Sequence, residues 1–196
     1  MFRKKVYNER NEQAGGKYME LRILDWFQTL HSPVTDQFWV AVTTLGNAGL
    51  IWIFLTAVLL LNKKKRESGL AAAAGLMIEL ILCHLILKNV VARIRPYEVK
   101  QTIELLIAKP IDYSFPSGHT AASVAFTVAL YFAGEKKLWK ECGVLAVFIA
   151  ISRMYLYVHY PTDILGGLLV GTFCGWAGWK FSRYLIRTCK KRRAEV

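Results

Sequence analysis

Residues 37–62 read QFWVAVTTLGNAGLIWIFLTAVLLLN, and none of them carries a charged side chain. About 20 apolar residues in an α-helix are enough to cross the hydrocarbon core of a bilayer, so this run predicts a membrane-spanning helix. Hydrophobic residues make up 54% of the 196-residue chain, and they gather in further apolar stretches at residues 69–91, 120–134, 138–152 and 164–179. The sequence therefore predicts an all-α integral membrane protein that crosses the bilayer several times.

The distribution of charge predicts which side of the membrane each loop faces. The net charge is +12, and basic residues gather in clusters after alternate apolar stretches, at residues 63–66, 136–140 and 180–193. The loop at residues 97–116 instead mixes acidic and basic side chains. Because cytoplasmic loops are enriched in Lys and Arg, the clusters are placed in the cytoplasm and the mixed loop outside. No basic stripe accompanies a readable nucleic-acid-binding fold, so nucleic acid is not expected as a partner.

These clusters delimit five strong spans with a cytoplasmic C-terminus, at residues 37–62, 69–94, 117–134, 138–157 and 161–187. Residues 19–31 fit an amphipathic helix, which either lies on the membrane surface or forms a short sixth span ended by Pro33. Basic Arg3, Lys4 and Lys5 favour a crossing, because both termini are then cytoplasmic. We expect a bundle of about six transmembrane helices with an active site near the outer face. Its predicted parts are a polar cytoplasmic tail (1–18), one transmembrane domain (19–188) and a basic cytoplasmic tail (189–196).

The first of three polar segments reads KNVVARIRP at residues 88–96. Cations are costly at membrane depth, so a set of them at a helix end indicates a function. Lys88 and Arg95 are seven residues apart, about two helical turns, and are expected to share one helix face near its outer end. Arg93 would point elsewhere, and we interpret it as an arginine that reaches the membrane interface. Pro96 then ends the helix.

The second segment, PSGH at residues 116–119, is typical of a helix start. Ser117 is a plausible N-cap, and Gly118 lets backbone N–H groups approach a bound anion closely. The free amides and positive dipole end of a helix N-terminus favour phosphate binding, and His119 would lie in the first turn beside that phosphate. Alone, the tripeptide fits an ordinary helix cap better than a binding site.

The third segment, SRMYLYVHYPTD, covers residues 152–163. Arg153 closes one predicted span and His159 opens the next. Asp163 follows His159 by four residues, one above the other if the helix has begun. The carboxylate could then hold one ring nitrogen of His159 and leave the other free to attack, although such a pair alone is often only a satisfied polar contact.

Together the three segments fit phosphoryl transfer. Three cations, with the Ser117 hydroxyl and the Gly118 amide, would stabilise the charge that spreads over the phosphoryl oxygens in the transition state. The two histidines could supply a nucleophile and a group that acts first as acid and then as base. No cluster of Asp, Glu and His has metal-ligand spacing, so we expect no metal and no cofactor. The proposed cations are Lys88, Arg95 and Arg153.

In order and spacing, the three segments resemble the signature motifs of the type-2 phosphatidic acid phosphatase superfamily. This superfamily includes membrane lipid phosphatases, undecaprenyl-diphosphatases and glucose-6-phosphatase. The resemblance implies that His159 is the nucleophile that forms a phosphohistidine, that Asp163 orients it, and that His119 protonates the leaving oxygen and then activates water. It further implies five phosphate-binding residues, namely Lys88, Arg95, Ser117, Gly118 and Arg153.

The sequence thus predicts a lipid phosphatase of the cell membrane that is independent of metal and acts on the extracytoplasmic side. The substrates implied by the resemblance are undecaprenyl diphosphate, phosphatidylglycerophosphate and phosphatidic acid. The alternatives are a lipid phosphotransferase that uses the same phosphohistidine, an anion or lipid transporter, and a non-catalytic lipid-binding relative. Glu79 lies near the middle of its span and fits either a functional or a packing role. His84 is one turn below Lys88 and is interpreted as a core histidine.

Overall fold

The computed structural model describes residues 15–194, and within them every regular element is helical. The predicted tails at 1–18 and 189–196 lie partly outside these residues. The first described helix begins at Gly15 and the last one ends at Ala194, so both terminal helices extend further than predicted. The long helices are α1 (Gly15–Gln28), α2 (Pro33–Leu45), α3 (Leu50–Leu61), α4 (Arg66–Glu79), α7 (Gly118–Ala133), α8 (Leu138–Tyr155) and α9 (Pro161–Ala194). A π-helical stretch (Leu80–Leu87) and the short helix α5 (Lys88–Val91) continue α4, and α6 (Pro96–Val99) follows a break.

The uncharged run at residues 37–62 forms two helices rather than one. The Ser32 side chain accepts a hydrogen bond from the Thr35 amide, in a capping box with Pro33 at the first helical position, so α2 starts earlier than the apolar run. A short 3₁₀ turn (Asn47–Gly49) then separates α2 from α3, and Ala48 and Gly49 have positive φ angles of 49° and 67°. The two helices are bent by 42°. A left-handed backbone cannot continue a right-handed helix, which explains the bend.

Two helical stretches of the described chain, Arg66–Val99 and Pro161–Arg192, are long and apolar enough to cross a membrane, and the bent pair α2–α3 could form a third span. Helix α7 is apolar but shorter. Helix α1 has 14 residues, or about 21 Å of helix, which is less than the roughly 30 Å hydrocarbon core. The length of α1 therefore favours the surface alternative for residues 19–31, and the count of six spans stays a prediction.

Helices α4, α7 and α9 pack closely through small residues. A Cβ atom at Gly171 would lie 2.5 Å from the Ala121 carbonyl oxygen, and one at Gly175 would lie 2.4 Å from the Ala125 oxygen. Towards α4, a Cβ atom at Gly178 would lie 2.2 Å from the amide nitrogen of Gly75. Side chains at these positions would push the helices apart, so glycine is required for this distance of approach.

The two ends of the bundle differ in chemistry. At one end, Glu135 binds Lys65 at 3.0 Å and Ser68 at 2.9 Å, next to the basic clusters at 63–66 and 136–140. At the other end, α5 and α8 finish while α7 and α9 begin. This second end therefore gathers all three polar segments, which are far apart in the sequence.

Candidate active site

A cavity of about 390 Å³ lies at the second end of the bundle. We call it the polar cavity, because its lining includes Lys88, Arg95, Asp112, His119, Arg153 and His159. Five of these six residues were predicted from the sequence, and Asp112 was not. Four of the six are at most 3% exposed, namely Lys88, Arg95, Arg153 and His159. Buried polar side chains of this kind keep a fixed geometry only if neighbours hold them by hydrogen bonds.

His159 lies in the turn between α8 and α9 with 1% of its surface exposed. Its Nδ1 atom is 3.5 Å from Asp163 Oδ2 and 3.5 Å from Ser114 Oγ. The Nε2 atom is 3.3 Å from an Arg95 nitrogen. Burial lowers the pKa of His159 well below its usual value, and the nearby cations Arg95, Arg153 and Lys88 lower it further. The imidazole is therefore neutral at physiological pH, as a nucleophile has to be.

Asp163 is completely buried behind His159 and does not line the cavity. Its Oδ2 atom accepts hydrogen bonds from the Ser114 hydroxyl at 2.5 Å and the Tyr160 amide at 2.9 Å. Its Oδ1 atom accepts one from Arg93 at 2.6 Å. The carboxylate is thus fixed from three sides and presents one oxygen towards the His159 ring.

Arg93 has a role that the sequence did not predict. Its guanidinium binds Asp163 and, at 2.6 Å, Glu20 of α1. The same group lies 3.9 Å above the Tyr160 ring. Ser114 was also missed, and no motif marks it, because it comes from an irregular loop that the fold brings to Asp163.

Lys88 and Arg95 do not share a helix face as predicted. Helix α5 ends at Val91, and Ala92 has a positive φ of 48°, so Arg95 lies in extended backbone beyond the helix. Both side chains nevertheless reach the same carboxylate: Asp112 accepts from Lys88 Nζ at 2.7 Å and from Arg95 Nη2 at 2.5 Å. Backbone oxygens of Tyr113 and Val158 accept further hydrogen bonds from Lys88 and Arg95.

Asp112 therefore neutralises two of the three cations in this structure. Partial burial raises the pKa of the Asp112 carboxyl, but the hydrogen bonds and positive charges of Lys88 and Arg95 outweigh that effect and hold the pKa well below its usual value. The side chain is 43% exposed. A phosphate that binds both cations would have to compete with this carboxylate.

Among the described residues, no Asp or Glu side chain lies at hydrogen-bonding distance from Arg153. It lies in the last turn of α8, and its Nη1 atom donates to the Thr43 hydroxyl at 2.6 Å. Its Nε atom is buried and has no hydrogen-bond partner in the part of the chain that the structure describes. A buried cation with an unused N–H group is suited to bind an incoming phosphate oxygen.

The PSGH segment forms the start of α7, as predicted. Ser117 caps the helix by accepting from the Thr120 amide at 3.4 Å, and its side chain does not line the cavity. Gly118 lines the cavity, and a Cβ atom there would lie 2.6 Å from His84 Nε2. His119 also lines it, with Nε2 3.2 Å from Asn47 Oδ1 in the turn between α2 and α3. The bend at that turn thus places a polar partner beside His119.

A second cavity, of about 560 Å³, opens between α3 and α4. We call it the apolar groove, because most of its lining is hydrophobic and includes Ile53, Ala57, Leu60, Ala73, Leu76 and Leu80. His84, Gly118 and His119 line both cavities, so the groove meets the polar cavity at these three residues. Glu79 also lines the groove, and this residue is only 3% exposed.

Potential metal ligands approach one another at one place in the described chain. One ligand atom from each of Glu79, Cys83 and His84 lies within 4.8 Å of the others. This group includes a cysteine, and two of its members, Glu79 and His84, line the groove. The expectation of a metal-independent reaction stays a prediction.

The sequence profile of the PAP2 superfamily matches residues 68–187, more than half of the chain. The undecaprenyl-diphosphatase of Sulfolobus acidocaldarius is 35% identical over 123 residues, which cover 63% of this chain and 59% of the relative. The undecaprenyl-diphosphatase BcrC of Bacillus subtilis is 30% identical over 159 residues and 79% of each chain.

Solved structures show the same fold. The crystal structure of a transmembrane PAP2-type phosphatidylglycerolphosphate phosphatase from Bacillus subtilis matches 91% of this chain and 92% of its own, with a TM-score of 0.71 and 22% identity. The structure of Aquifex aeolicus LpxE matches 83% of this chain and 95% of its own, with a TM-score of 0.70 and 26% identity. The resemblance of the three polar segments is therefore confirmed, and this chain belongs to the PAP2 superfamily.

Proposed function

We propose that this protein is a membrane lipid phosphatase that hydrolyses a lipid phosphomonoester or diphosphate through a phosphohistidine. The main support is the polar cavity itself, in which the neutral Nε2 atom of His159 faces buried cations and which opens into an apolar groove. A phosphate group and a hydrocarbon chain attached to it would each meet a complementary surface. The names of the relatives, which include undecaprenyl-diphosphatases and a phosphatidylglycerophosphatase, agree with this substrate class.

In the first step, His159 Nε2 attacks phosphorus, and the bond between phosphorus and the lipid oxygen breaks. His119 donates a proton to that leaving oxygen. Lys88, Arg95 and Arg153 bind the phosphoryl oxygens and stabilise the charge that they carry in the transition state. In the second step, His119 removes a proton from water as the water attacks the phosphohistidine, which releases phosphate and restores the neutral His159.

Asp163 supports both steps without touching the substrate. When His159 becomes phosphorylated at Nε2, its Nδ1 atom carries a proton, and the ring gains positive charge. The Asp163 carboxylate, 3.5 Å away, stabilises that charge and fixes the ring orientation. Arg93 and Ser114 hold the carboxylate in place.

The proposal is tested by phosphate release from lipid phosphates by the full-length protein in detergent, with EDTA present. We expect release to continue in EDTA, because three side-chain cations supply the charge that a metal would otherwise provide. A brief reaction with a ³²P-labelled lipid phosphate followed by acid-free denaturation should leave label on His159. Activity that disappears on chelation and returns with a metal ion would contradict the metal-independent mechanism. If the ³²P label is found on a second lipid and not in free phosphate, the protein is a phosphotransferase.

We further propose that the site faces the extracytoplasmic side of the cell membrane, with the termini in the cytoplasm. The basic clusters at the opposite end of the bundle support this orientation. Ile111 is fully exposed in the loop above the polar cavity. In a variant without the native cysteines, Ile111→Cys should react in intact cells with a thiol reagent that does not cross membranes. Reaction only after the cells are opened would reverse the orientation.

A further inference from the structure

The junction between the two cavities is the place where the chemical group attached to the terminal phosphate of a bound substrate would lie. Only His84, Gly118 and His119 line both the polar cavity and the apolar groove within residues 15–194. A lipid with its terminal phosphate among the cations and its tail in the groove must pass these residues. The second chemical group of the headgroup therefore lies beside the His84 ring.

His84 has hydrogen-bonding capacity that the fold does not use. Its ring lies against the Gly118 backbone, and 39% of its side chain is exposed to the cavities. Within the described chain, neither ring nitrogen has a hydrogen-bond partner, and Glu79 Oε1 lies 3.8 Å from Nε2. Every imidazole carries an N–H donor in either tautomer, and His84 therefore has a donor to offer to a ligand at the junction.

Glu79 is the second unsatisfied group at this place. Its Oε1 atom is buried and without a hydrogen-bond partner in residues 15–194. Residues five apart point in different directions on an α-helix, but the π-helical winding of Leu80–Leu87 turns His84 back over Glu79. A buried carboxyl oxygen without a hydrogen bond is costly, and π-helical turns are frequent at functional sites. The pair is thus built by a specific distortion of the helix.

We propose that His84, positioned by Glu79, donates a hydrogen bond to the second, tail-side phosphate of a lipid diphosphate, so that the site selects diphosphates over monophosphates with the same tail. This inference rests on the proposed function and names its substrate class. His84 reaches the polar cavity while Glu79 lines only the groove, so the imidazole and not the carboxyl group of the pair faces the phosphates. In a lipid monophosphate, a carbon atom takes the place of the second phosphate and gains nothing from His84. His84 is the specificity-determining residue, and Glu79 positions it.

The test compares farnesyl diphosphate with farnesyl monophosphate, because these two substrates differ only in the second phosphate. We expect the wild-type protein in detergent to have the higher kcat/KM for the diphosphate. In His84→Gln, kcat/KM for the diphosphate should fall about 10- to 100-fold, the usual effect of losing a hydrogen bond to a charged group. The value for the monophosphate should change less than about threefold, since the cations that bind its phosphate are untouched.

Glu79 variants separate positioning from packing. Glu79→Gln keeps the volume of the side chain but replaces one oxygen with an NH₂ group, which cannot orient the His84 ring in the same way, so the diphosphate KM should rise while the monophosphate KM stays constant. Glu79→Asp should recover part of the preference. His31→Gln is the matched histidine control, because His31 contacts Tyr155 and lines neither cavity. Size-exclusion chromatography and thermal unfolding identify any variant that fails to fold. If a variant does not fold, inhibition of the wild-type protein by pyrophosphate and by phosphate is compared instead. We expect pyrophosphate to inhibit more strongly.

Several results would overturn the inference while leaving the phosphatase proposal intact. These are an equal loss for both substrates in His84→Gln, an unchanged preference, equal inhibition by pyrophosphate and phosphate, or a wild-type preference that EDTA abolishes and zinc restores. The last result would assign Glu79 and His84 to a metal site instead. Absence of phosphate release from every lipid phosphate by the wild-type protein would overturn the proposed function and this inference with it.

Discussion

The polar cavity and the apolar groove meet at His84, Gly118 and His119 but are built in different ways. The polar cavity is formed by helix ends and loops, and its side chains are held by hydrogen bonds such as those of Arg95 to Val158 and Asp112. The groove is formed by the faces of α3 and α4, where packing alone sets the shape. The difference teaches that charge stabilisation and lipid selection are separable in this protein, and single substitutions should affect one without the other.

The largest effect is expected at the nucleophile. His159→Asn should lower kcat by at least roughly 10³-fold for every lipid phosphate, because no other imidazole nitrogen faces the cations in the same way. Phosphate release and ³²P labelling of the protein measure the loss. Because His159 is buried, thermal unfolding must show that the variant is folded. If the folded variant still becomes labelled, another residue is the nucleophile, and the assignment of the chemical step to the polar cavity is contradicted.

A smaller loss is expected at Arg93, which touches Asp163 and not the substrate. Arg93→Met should lower kcat about 10- to 100-fold with KM nearly constant, since outer partners of catalytic groups have effects of this size. Lys100→Met is the matched control, because it removes a cation at the same end of the bundle that binds Asp25 at 2.7 Å. Equal losses in both variants would mean that Arg93 contributes only to stability.

The groove should respond to the length of the lipid tail. Ala57 lines the groove, and Ala57→Trp would fill part of it, so KM for a long-chain substrate should rise about tenfold or more. A short-chain substrate should be hydrolysed as in the wild type. Val58→Trp places the same side chain at the next position, which is 47% exposed and outside the groove. If the two variants discriminate chain length equally, the groove does not bind the tail.

The smallest effect concerns the carboxylate that competes with phosphate. Asp112→Asn keeps the side-chain shape, while backbone oxygens still hold Lys88 and Arg95. Inorganic phosphate should inhibit this variant at about 2- to 5-fold lower concentration, because a partly exposed ion pair contributes at most about 1 kcal/mol. Glu104→Gln, at an exposed position of the same loop, is the control. Weaker inhibition by phosphate in Asp112→Asn would show that Asp112 organises the two cations rather than competing for them.

Much of the fold could be predicted, because apolar runs and helix caps are local signals. The runs predicted the helices, and the Ser117 cap lies at the start of α7 as expected. The breaks could not be predicted, because Ala48 and Ala92 adopt positive φ angles that alanine rarely takes and that the tertiary structure imposes. The break at Ala92 is also the reason why the expected shared face of Lys88 and Arg95 is wrong.

The same limit applies to the candidate site. The residues to which we assign the chemistry lie in the three motifs, and the sequence contains them in the order typical of the family. Glu20, Ser114 and Asp112 could not be found in this way, since each reaches its partner from a separate helix or loop. Residue types in short segments reveal which reaction is chemically available, but not which neighbours hold the reacting groups.

By itself, the sequence determined that this is a helical membrane protein with three polar segments suited to phosphoryl transfer. These properties depend on hydrophobicity and on residue type, which are local. Only the tertiary structure decided that Arg93 supports Asp163, that Asp112 occupies two of the cations, and that Glu79 and His84 stand where the groove meets the polar cavity. Those relations depend on backbone breaks, π-helical winding and close helix packing, which bring together residues that no local pattern connects.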